Sequence, residues 1–350
     1  MNTKKKTLQA YLVNLIGVVA VFAVFMGLIM GGVLDRYVQG ILMLVMINVI
    51  LATSLNITTG FLGEIALGHA GFMSVGAYSS AIISKAMVEA GLPTWLHLLI
   101  VLIVGGIFAA MFGFLIGIPA LRLKGDYLAI ITLGFGEIIR VVIENLSITG
   151  GAQGLRSIPR IATFPITFWV MVVSVTIMFL FIRSRHGRAI TAIREDDIAS
   201  EAAGIPNTYY KVMAFVVAAF FAGVAGALYA HYYAVLGAKT FNFTKSIDIL
   251  VIVVLGGMGS LTGSIVAAVG LTFLPELLRE FSDYRMVVYS VVLIVVMIFR
   301  PSGLLGHYEF SLTRFLRKLT GKEPWGWQKK RGEKQKKQQA AATAGGEEHE

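Results

Sequence analysis

The sequence predicts an all-α polytopic membrane protein with eight to ten transmembrane helices, and ten fits best. The mean hydropathy is +0.76, and only 14% of the residues are charged. An ordinary soluble domain carries about 25% charged residues. The apolar residues also come in runs of about 20, which is the length a helix needs to cross about 30 Å of hydrocarbon at 1.5 Å per residue. A soluble enzyme or a nucleic-acid-binding domain is therefore excluded.

The apolar runs define ten candidate spans along the chain. They are residues 11–34, 37–56, 66–86, 96–119, 126–146, 164–182, 211–235, 246–260, 262–278 and 284–299. Glycine and polar residues weaken the third span. The eighth and ninth spans are short, so they are either two full crossings or a hairpin that does not cross.

Lysine and arginine in the connections orient the spans, because cytoplasmic loops carry an excess of these residues. Three lysines precede the first span, Arg122 and Lys124 follow the fourth, and the four arginines of 183–194 follow the sixth. Ten crossings place all of these on one side together with the basic tail, so both termini are predicted to be cytoplasmic. Arg156 and Arg160 fall on the opposite side, and eight crossings would also place both termini inside.

The chain divides into three predicted regions. Residues 1–10 form a short cytoplasmic N-terminus, residues 11–305 form the membrane domain with a charged loop at 183–210, and residues 306–350 form a basic cytoplasmic tail. The first apolar run is longer than that of a signal peptide, so it is predicted to be a retained helix. The tail is polar, low in complexity and without apolar periodicity, which predicts disorder.

Glycines cluster in the third span, which reads TGFLGEIALGHAGFMSVGAYSS. Small residues four apart let helices pack closely in lipid, so the stretch suits a tightly packed seam between helices. It suits equally a broken helix whose freed backbone groups line a path through the membrane. Glu64 and His69 favour the second interpretation, with Gly68 and Gly71 at the break.

The fifth span poses the same choice, because Gly134 and Gly136 are expected to interrupt it. Glu137 and Arg140 follow, and their spacing of three places them on one helical face, with Glu144 four residues beyond. Charges inside a membrane are costly and usually face protein or a cavity. The cluster is therefore either a self-contained structural ion pair or a part of the translocation path.

The eighth and ninth spans contain SIDILVIVVLGGMGSLTGS. Asp248 is the one charge of this apolar run, and Gly256 and Gly257 follow it. The pattern predicts a short or interrupted helix pair beside the path. Asp248, Glu137 and Arg140 are therefore candidate residues of the translocation path.

The loop between the sixth and seventh spans begins RSRHGRAITAIREDDIASEAAGIP. On a helical wheel, isoleucines share one arc with Arg194, Asp197 and Glu201, so a single helix lying on the membrane fits poorly. Two short helices, broken near Asp196 or at Gly204, fit better. Such an element is either a docking site for another protein or a solvated connector.

The sequence contains no nucleotide, metal or cofactor motif. It lacks G-x4-GK[ST], so it has no ATPase site of its own. It has no cysteine, and its six histidines form no close pair at ligand spacing. We therefore expect no catalytic residue, no metal and no cofactor on this chain.

In family order, several stretches resemble the LivM-type permease subunit of branched-chain amino-acid ABC importers, within the LivH/LivM permease family. They are SLNITTGFLGEIALGHAGFMSVGAY, GDYLAIITLGFGEIIR, TGGAQGL, RSRHGRAITAIREDDIASEAAGI, AFFAGVAGALYAHY, SIDILVIVVLGGMGSLTG, LPELLR and FRPSGLLG. Together they cover about residues 40–305.

The resemblance implies a multi-pass importer permease of the bacterial cytoplasmic (inner) membrane. Its implied partners are a second, LivH-like permease chain, two ATPase subunits that hydrolyse ATP, and a periplasmic or lipid-anchored binding protein; no nucleic acid is involved. The charged loop becomes the segment that couples to the ATPase. Its matching residues are Gly187, Arg188, Ala189, Arg194, Glu195, Asp196, Glu201, Ala202, Ala203 and Gly204.

The spacing within the loop departs from the general importer pattern. That pattern places three residues between Glu-Ala-Ala and its glycine, whereas here Gly204 follows Ala203 directly. Only the family-specific version of the motif fits. Relatives of the same class that move urea, amides or other amino acids stay open as alternatives. An ion-coupled secondary transporter, which would need neither partners nor the charged loop, is a further one.

Overall fold

The computed structural model describes residues 3–88, 91, 93–123, 125–278, 284–300 and 303–306. The tail from residue 307, for which disorder is predicted, lies outside the described residues. The described part contains the α-helices α1 Thr3–Met30, α2 Arg36–Asn56, α3 His69–Ala86, α4 Thr94–Ala120, α5 Asp126–Asn145, α6 Phe164–Arg183, α7 Arg185–Glu195, α8 Asp197–Ala202, α9 Asn207–Tyr233, α10 Phe243–Gly256, α11 Leu261–Leu277 and α12 Arg285–Phe299.

The all-α prediction is confirmed, and each of the ten predicted apolar spans overlaps one of the described helices. The β-structure of the described residues is limited to an isolated bridge between Leu155 and Leu236. Four of the described helical segments are long and apolar enough to cross a membrane by length and composition. They are Arg36–Leu62, Thr94–Ala120, Phe164–Arg183 and Asn207–Tyr233. The number of crossings stays a prediction.

Helix α9 lies at the centre of the bundle and packs against α3 and α4 through small residues. A Cβ on Gly76 of α3 would overlap the backbone of Gly223 of α9, so the two helices touch at their main chains. Helix α4 runs antiparallel to α9, with Gly105 next to Ala227 and Gly117 next to Phe215. Lipid gives no hydrophobic drive for helix association, so this close van der Waals contact is what holds the bundle. The predicted seam of small residues is present.

Two ends of the bundle can be distinguished along α9. We call the end where α9 begins, next to α7 and α8, the loop end, and the end at Tyr233 the far end. The antiparallel packing of α4 on α9 brings Arg122, after α4, to the loop end. Arg122, after the fourth predicted span, and the arginines of 183–194, after the sixth, therefore share one end of the bundle. This is the arrangement that the charge pattern predicts.

The predicted third span is broken, and its helix starts later than expected. After α2 the chain continues into a π-helical turn, Ile57–Leu62, and leaves it at Gly63, whose φ of +85° is unfavourable for residues with a side chain. Residues 64–68 form no helix, and α3 begins only at His69. Both interpretations of these glycines therefore hold, each for a different part of the span. The chain is broken before α3, and the small residues within α3 form the packed seam.

The expected interruption of α5 at Gly134 and Gly136 is wrong. Helix α5 runs without a break from Asp126 to Asn145. Gly136 serves close packing instead, because a Cβ there would lie 3.3 Å from the Cα of Gly68, whereas nothing lies within 4 Å of a Cβ at Gly134. Glycine in a helix interior costs only about 1 kcal/mol, so the other backbone hydrogen bonds keep the helix intact.

Helices α10 and α11 form a hairpin around Gly257–Ser260. Gly257 has a φ of +114°, and Gly256 packs directly on Gly263 of the second helix. With 14 and 17 residues, the two helices are about 21 and 25 Å long. This confirms the predicted pair of short helices. The turn lies at the loop end, since the Asn56 side chain donates to the Ser260 carbonyl at 2.8 Å and accepts from the Gly259 N–H at 2.9 Å.

Candidate functional site

The charged loop folds as two short helices, α7 and α8, as predicted. The Ser184 hydroxyl caps α7 by accepting from the N–H groups of His186 and Gly187 at 3.1 and 3.4 Å. Asp196 is extended and caps α8, with its carboxylate accepting from the N–H groups of Ile198 and Ala199, each at 2.9 Å. The break near Asp196 is therefore a helix-capping event. Gly204, the other predicted position, lies beyond the end of α8.

One face of α7 is buried against the bundle. Ile190 and Ile193 belong to the hydrophobic core, and Gly187 is buried where α6 turns into α7. A Cβ at Gly187 would overlap the carbonyl of Ile182, so only glycine allows this turn. Gly187 therefore positions the loop and does not face a partner.

The other face of the loop is exposed. Of the predicted coupling residues, those that face solvent are Arg188, Glu195, Asp196, Glu201, Ala202, Ala203 and Gly204, and Ala189 is half-buried. Ile198 lies among them with 79% of its surface exposed. Hot spots of protein interfaces pair such an apolar anchor with a polar rim. The predicted set of coupling residues omits Ile198. Its position between acidic residues of α8 is the feature of the sequence that could have indicated its exposure.

Arg194 points inward, unlike most of the predicted coupling residues. Its guanidinium donates to the carbonyl of Gly60, in the π-helical turn after α2. A Cβ at Gly63 would lie 3.0 Å from the Cγ of Arg194, so the arginine stem covers the point where the chain leaves the helix. Arg194 thus joins α7 to the broken segment, which we define as residues 57–68.

An ionic contact joins the broken segment to α8 and α9. The Lys211 ammonium, in the first turns of α9, lies 2.9 Å from the Glu64 carboxylate and 3.4 Å from the Asp197 carboxylate. The Lys211 side chain is only 8% exposed. Asp197 also accepts from the Asn207 amide at 2.8 Å. Sequence reasoning did not assign Lys211 a role; a lysine at the start of an apolar span was the signal that could have found it.

The broken segment continues toward α3 through buried contacts. His69 is 2% exposed, and its Nε2 lies 2.9 Å from the Ser54 hydroxyl of α2. Gly68 lies against the backbone of Thr132 in α5, and a Cβ at Gly71 would lie 2.9 Å from the Cα of Gly136. The predicted site residues of α3 and α5 are therefore brought together, as packing partners.

Glu137 and Arg140 form the expected ionic cluster. The Arg140 guanidinium lies 2.6 Å from Glu137 and 2.8 Å from Glu144, all within α5. Glu137 also accepts from the N–H of Phe243 at 2.9 Å, at the start of α10. These contacts match the structural ion pair more closely than a path, because each charge already has a partner within the chain.

Asp248 lies apart from these contacts, at the far end of the bundle. It lines a cavity of about 660 Å³ between α2, α9, α10 and α11, together with Lys245. Gly256 and Gly257 do not reach this cavity, since they form the hairpin turn at the loop end. No group of three or more possible metal ligands occurs among the described residues.

Together, the helical bundle, its broken helix and the exposed α7–α8 element describe a helical membrane protein. Residues 37–299 match the family described as the branched-chain amino acid transport system permease component, and the chain belongs to that family. The LivM-type resemblance is confirmed, and the family is one of transport permease components.

Individual relatives support the same assignment. The chain is 38% identical over 297 residues to the high-affinity branched-chain amino acid transport system permease protein LivM of Escherichia coli K12, covering 75% of this chain and 68% of that protein. It is 26% identical over 283 residues to LivH of Salmonella typhimurium, covering 74% and 91%. It is 25% identical over 242 residues to a probable LivM of Methanocaldococcus jannaschii, covering 59% and 68%. No solved structure matches.

Proposed function

We propose that the chain is the permease subunit of an ATP-binding-cassette importer for branched-chain amino acids. It forms the path through the bacterial cytoplasmic membrane together with a second, LivH-like permease chain. Two separate ATPase subunits hydrolyse ATP, and a periplasmic or lipid-anchored binding protein delivers the substrate. The chain itself binds no cofactor. The names of the relatives, which include both LivM and LivH, support the pairing and the substrate class.

The observation that carries the proposal is the α7–α8 element. It combines an exposed apolar residue, Ile198, and an exposed acidic rim with inward contacts to the broken segment. A partner bound to the exposed face would move α7 and α8, and Arg194 and Lys211 would pass that motion to residues 57–68. A solvated connector would need neither the exposed isoleucine nor the buried ties.

Glu201→Arg tests the coupling directly. The exposed carboxylate of Glu201 lies on α8. Glu201→Arg puts a cation at the proposed contact, where it repels the positive group of the partner that the carboxylate would attract. We expect ATP-dependent uptake of leucine by the complete importer in proteoliposomes to fall at least tenfold, with unchanged helicity and thermal stability.

The matched control is Gln153→Arg, which adds the same side chain at an exposed position between α5 and α6. It should retain normal uptake. Co-purification with the ATPase chains should be weakened by Glu201→Arg alone. If uptake and co-purification both survive Glu201→Arg, the assignment of α7–α8 as the coupling element fails. Uptake of urea or amides in place of leucine would keep the importer assignment and change the assigned substrate.

A further inference from the structure

The cavity at the far end is lined by charged, aromatic and aliphatic side chains from four helices. Its volume of about 660 Å³ lies within the 300–1,000 Å³ that is usual for small-molecule sites. The lining residues that matter here are Leu44, Asn48, Lys245, Asp248, Ile252 and Glu276. The sequence analysis singled out Asp248, but it did not place a cavity or a cation beside it.

Lys245 and Asp248 provide one cation and one anion in this cavity. Their spacing of three places both on the same face of α10. The Lys245 ammonium lies 3.4 Å from the Asn48 amide oxygen, a long and neutral contact. Neither side chain forms an ion pair within 4.0 Å with another described residue. Lys245 is half-buried, and Asp248, which is exposed, lines the open volume. Charges within the membrane domain are costly, and they often mark the route of a substrate.

Arg36, which is exposed at the start of α2, also lines the cavity, whereas several other charges of the described membrane domain are paired. Arg140 is paired with both Glu137 and Glu144, and Lys211 is paired with Glu64 and Asp197. Glu276, which also lines the cavity, accepts the hydroxyl of Tyr37. Lys245 and Asp248 are thus a cation and an anion, three residues apart on one helix, that line an open volume large enough for a ligand.

The cavity also offers an apolar wall beside the charges. Ile41, Leu44, Ile252 and Leu271 line it together with the ring of Tyr232. Mostly apolar walls with a few placed polar groups are the usual composition of a small-molecule site. A ligand that satisfies this lining carries one negative group, one positive group and an aliphatic part. A neutral solute such as urea would offer a counter-charge to neither group.

The position of the cavity fits a point of entry. It lies between the start of α2, the end of α9, the start of α10 and the end of α11. Asn56, at the opposite end of α2, contacts the hairpin turn, and Gly60 contacts Arg194 of α7. The cavity and the α7–α8 element therefore lie toward opposite ends of the bundle.

We propose that this cavity is a transit subsite for a zwitterionic amino acid with an aliphatic side chain. Lys245 receives the α-carboxylate, Asp248 receives the α-ammonium group, and Leu44 and Ile252 contact the side chain. Charge-assisted hydrogen bonds of this kind are short and strong, so the pair also discriminates against neutral solutes. The subsite rests on the proposed transport function for its role, whereas ligand occupancy can be measured without transport.

The absence of native cysteine makes the test direct, because one introduced thiol reports on one position. Leu44→Cys in the full-length protein, purified in nanodiscs, is labelled with a small thiol reagent while leucine or urea is titrated. We expect millimolar leucine to slow labelling at least threefold and urea to leave it unchanged. Lys245→Met or Asp248→Asn in the Leu44→Cys background should abolish the protection.

Two controls separate charge in the cavity from charge elsewhere. Lys239→Met and Asp126→Asn remove exposed charges that do not line the cavity, and both should keep the protection by leucine. Ala199→Cys, on α8, should be labelled at the same rate with and without leucine.

The proposal is overturned if leucine does not slow labelling of Leu44→Cys in a folded protein. It is also overturned if urea protects equally well, or if protection survives both Lys245→Met and Asp248→Asn. Complete shielding of Leu44→Cys by the second permease chain, independent of leucine, would make this surface an interface and would equally overturn it. If the complete importer shows no ATP-dependent uptake of leucine while leucine still protects Leu44→Cys from labelling, the proposed function is contradicted. The subsite then remains supported.

Discussion

Lys211 shows at the residue scale how one buried charge links distant parts of the chain. Its ammonium lies between Glu64 of the broken segment and Asp197 of α8, at 2.9 and 3.4 Å. A buried cation is stable only when anions and hydrogen bonds compensate for its lost hydration. Lys211 therefore fixes the position of both carboxylates, one of which is 147 residues away in the sequence.

Lys211→Met should destabilise the protein, because Glu64 and Asp197 lose their shared cation while the methionine still fills the space. The Glu64 side chain is 14% exposed and that of Asp197 is 30% exposed, so water screens part of the loss. We expect a decrease of about 1–3 kcal/mol in the free energy of unfolding, measured by chemical denaturation in detergent. Lys239→Met, at an exposed lysine, is the control and should change stability little. Equal stability of the two variants would contradict a structural role for the ionic contacts of Lys211 with Glu64 and Asp197.

Helix packing is the main issue at the element scale. Helices α3, α4 and α9 approach each other at main-chain distance through Gly76, Gly105 and Gly223. Small residues are needed there because each would-be Cβ overlaps a neighbouring backbone. Gly134 belongs to the same class by sequence, yet nothing lies within 4 Å of a Cβ at that position.

Gly76→Ala and Gly134→Ala therefore form a matched pair of substitutions inside helices. Gly76→Ala forces α3 and α9 apart and should cost about 1–3 kcal/mol of unfolding free energy. Gly134→Ala should be neutral or stabilise α5 by up to about 1 kcal/mol, because alanine favours a helix over glycine. Thermal unfolding in detergent, followed by circular dichroism, measures both. Equal effects of the two variants would show that α3 and α9 are not in main-chain contact.

The broken segment is the other feature of this scale. On one side, Arg194 of α7 and Lys211 of α9 contact this segment. On the other side, the segment leads into the buried contact between His69 and Ser54. A continuous helix could not respond locally to a push from α7 and α8. The exit from the π-helical turn at Gly63 gives the chain a point where a small rotation changes the course of residues 64–68.

At the scale of the whole molecule, the two functional regions lie at opposite ends of one bundle. The exposed α7–α8 element is at the loop end, and the charged cavity is at the far end. Helices α2 and α9 extend from one region to the other, and Lys211 of α9 is paired with Glu64, in the segment that follows α2. Under the proposed function, a partner acting at the loop end would influence the cavity through these two helices.

The chain alone should therefore transport nothing against a gradient. In proteoliposomes that contain only this protein, we expect no accumulation of leucine, with or without ATP and with or without a proton or sodium gradient. Addition of the second permease chain, the two ATPases and the binding protein should restore ATP-dependent uptake. Accumulation by the chain alone on an ion gradient would identify an ion-coupled secondary transporter and contradict the importer assignment.

The sequence by itself determined the all-α class, the approximate positions of the apolar helices and the two short helices of the charged loop. These features depend on local composition: apolar length specifies a span, and Ser184 and Asp196 specify the starts of α7 and α8. The spacing of Glu137, Arg140 and Glu144 within α5 likewise specified their ion pairs. The family resemblance was readable for the same reason, since its motifs are contiguous stretches.

Only the tertiary structure decided which glycines break a helix and which charges remain without an ionic partner. Gly63 and Gly136 look alike in sequence, but the first leaves a helix with positive φ and the second packs on Gly68 within a continuous one. Lys211 and Lys245 are both lysines near the start of an apolar helix, yet one is neutralised by Glu64 and the other faces a cavity. The difference lies in neighbours from distant segments, and those neighbours are set by the packing of the whole bundle.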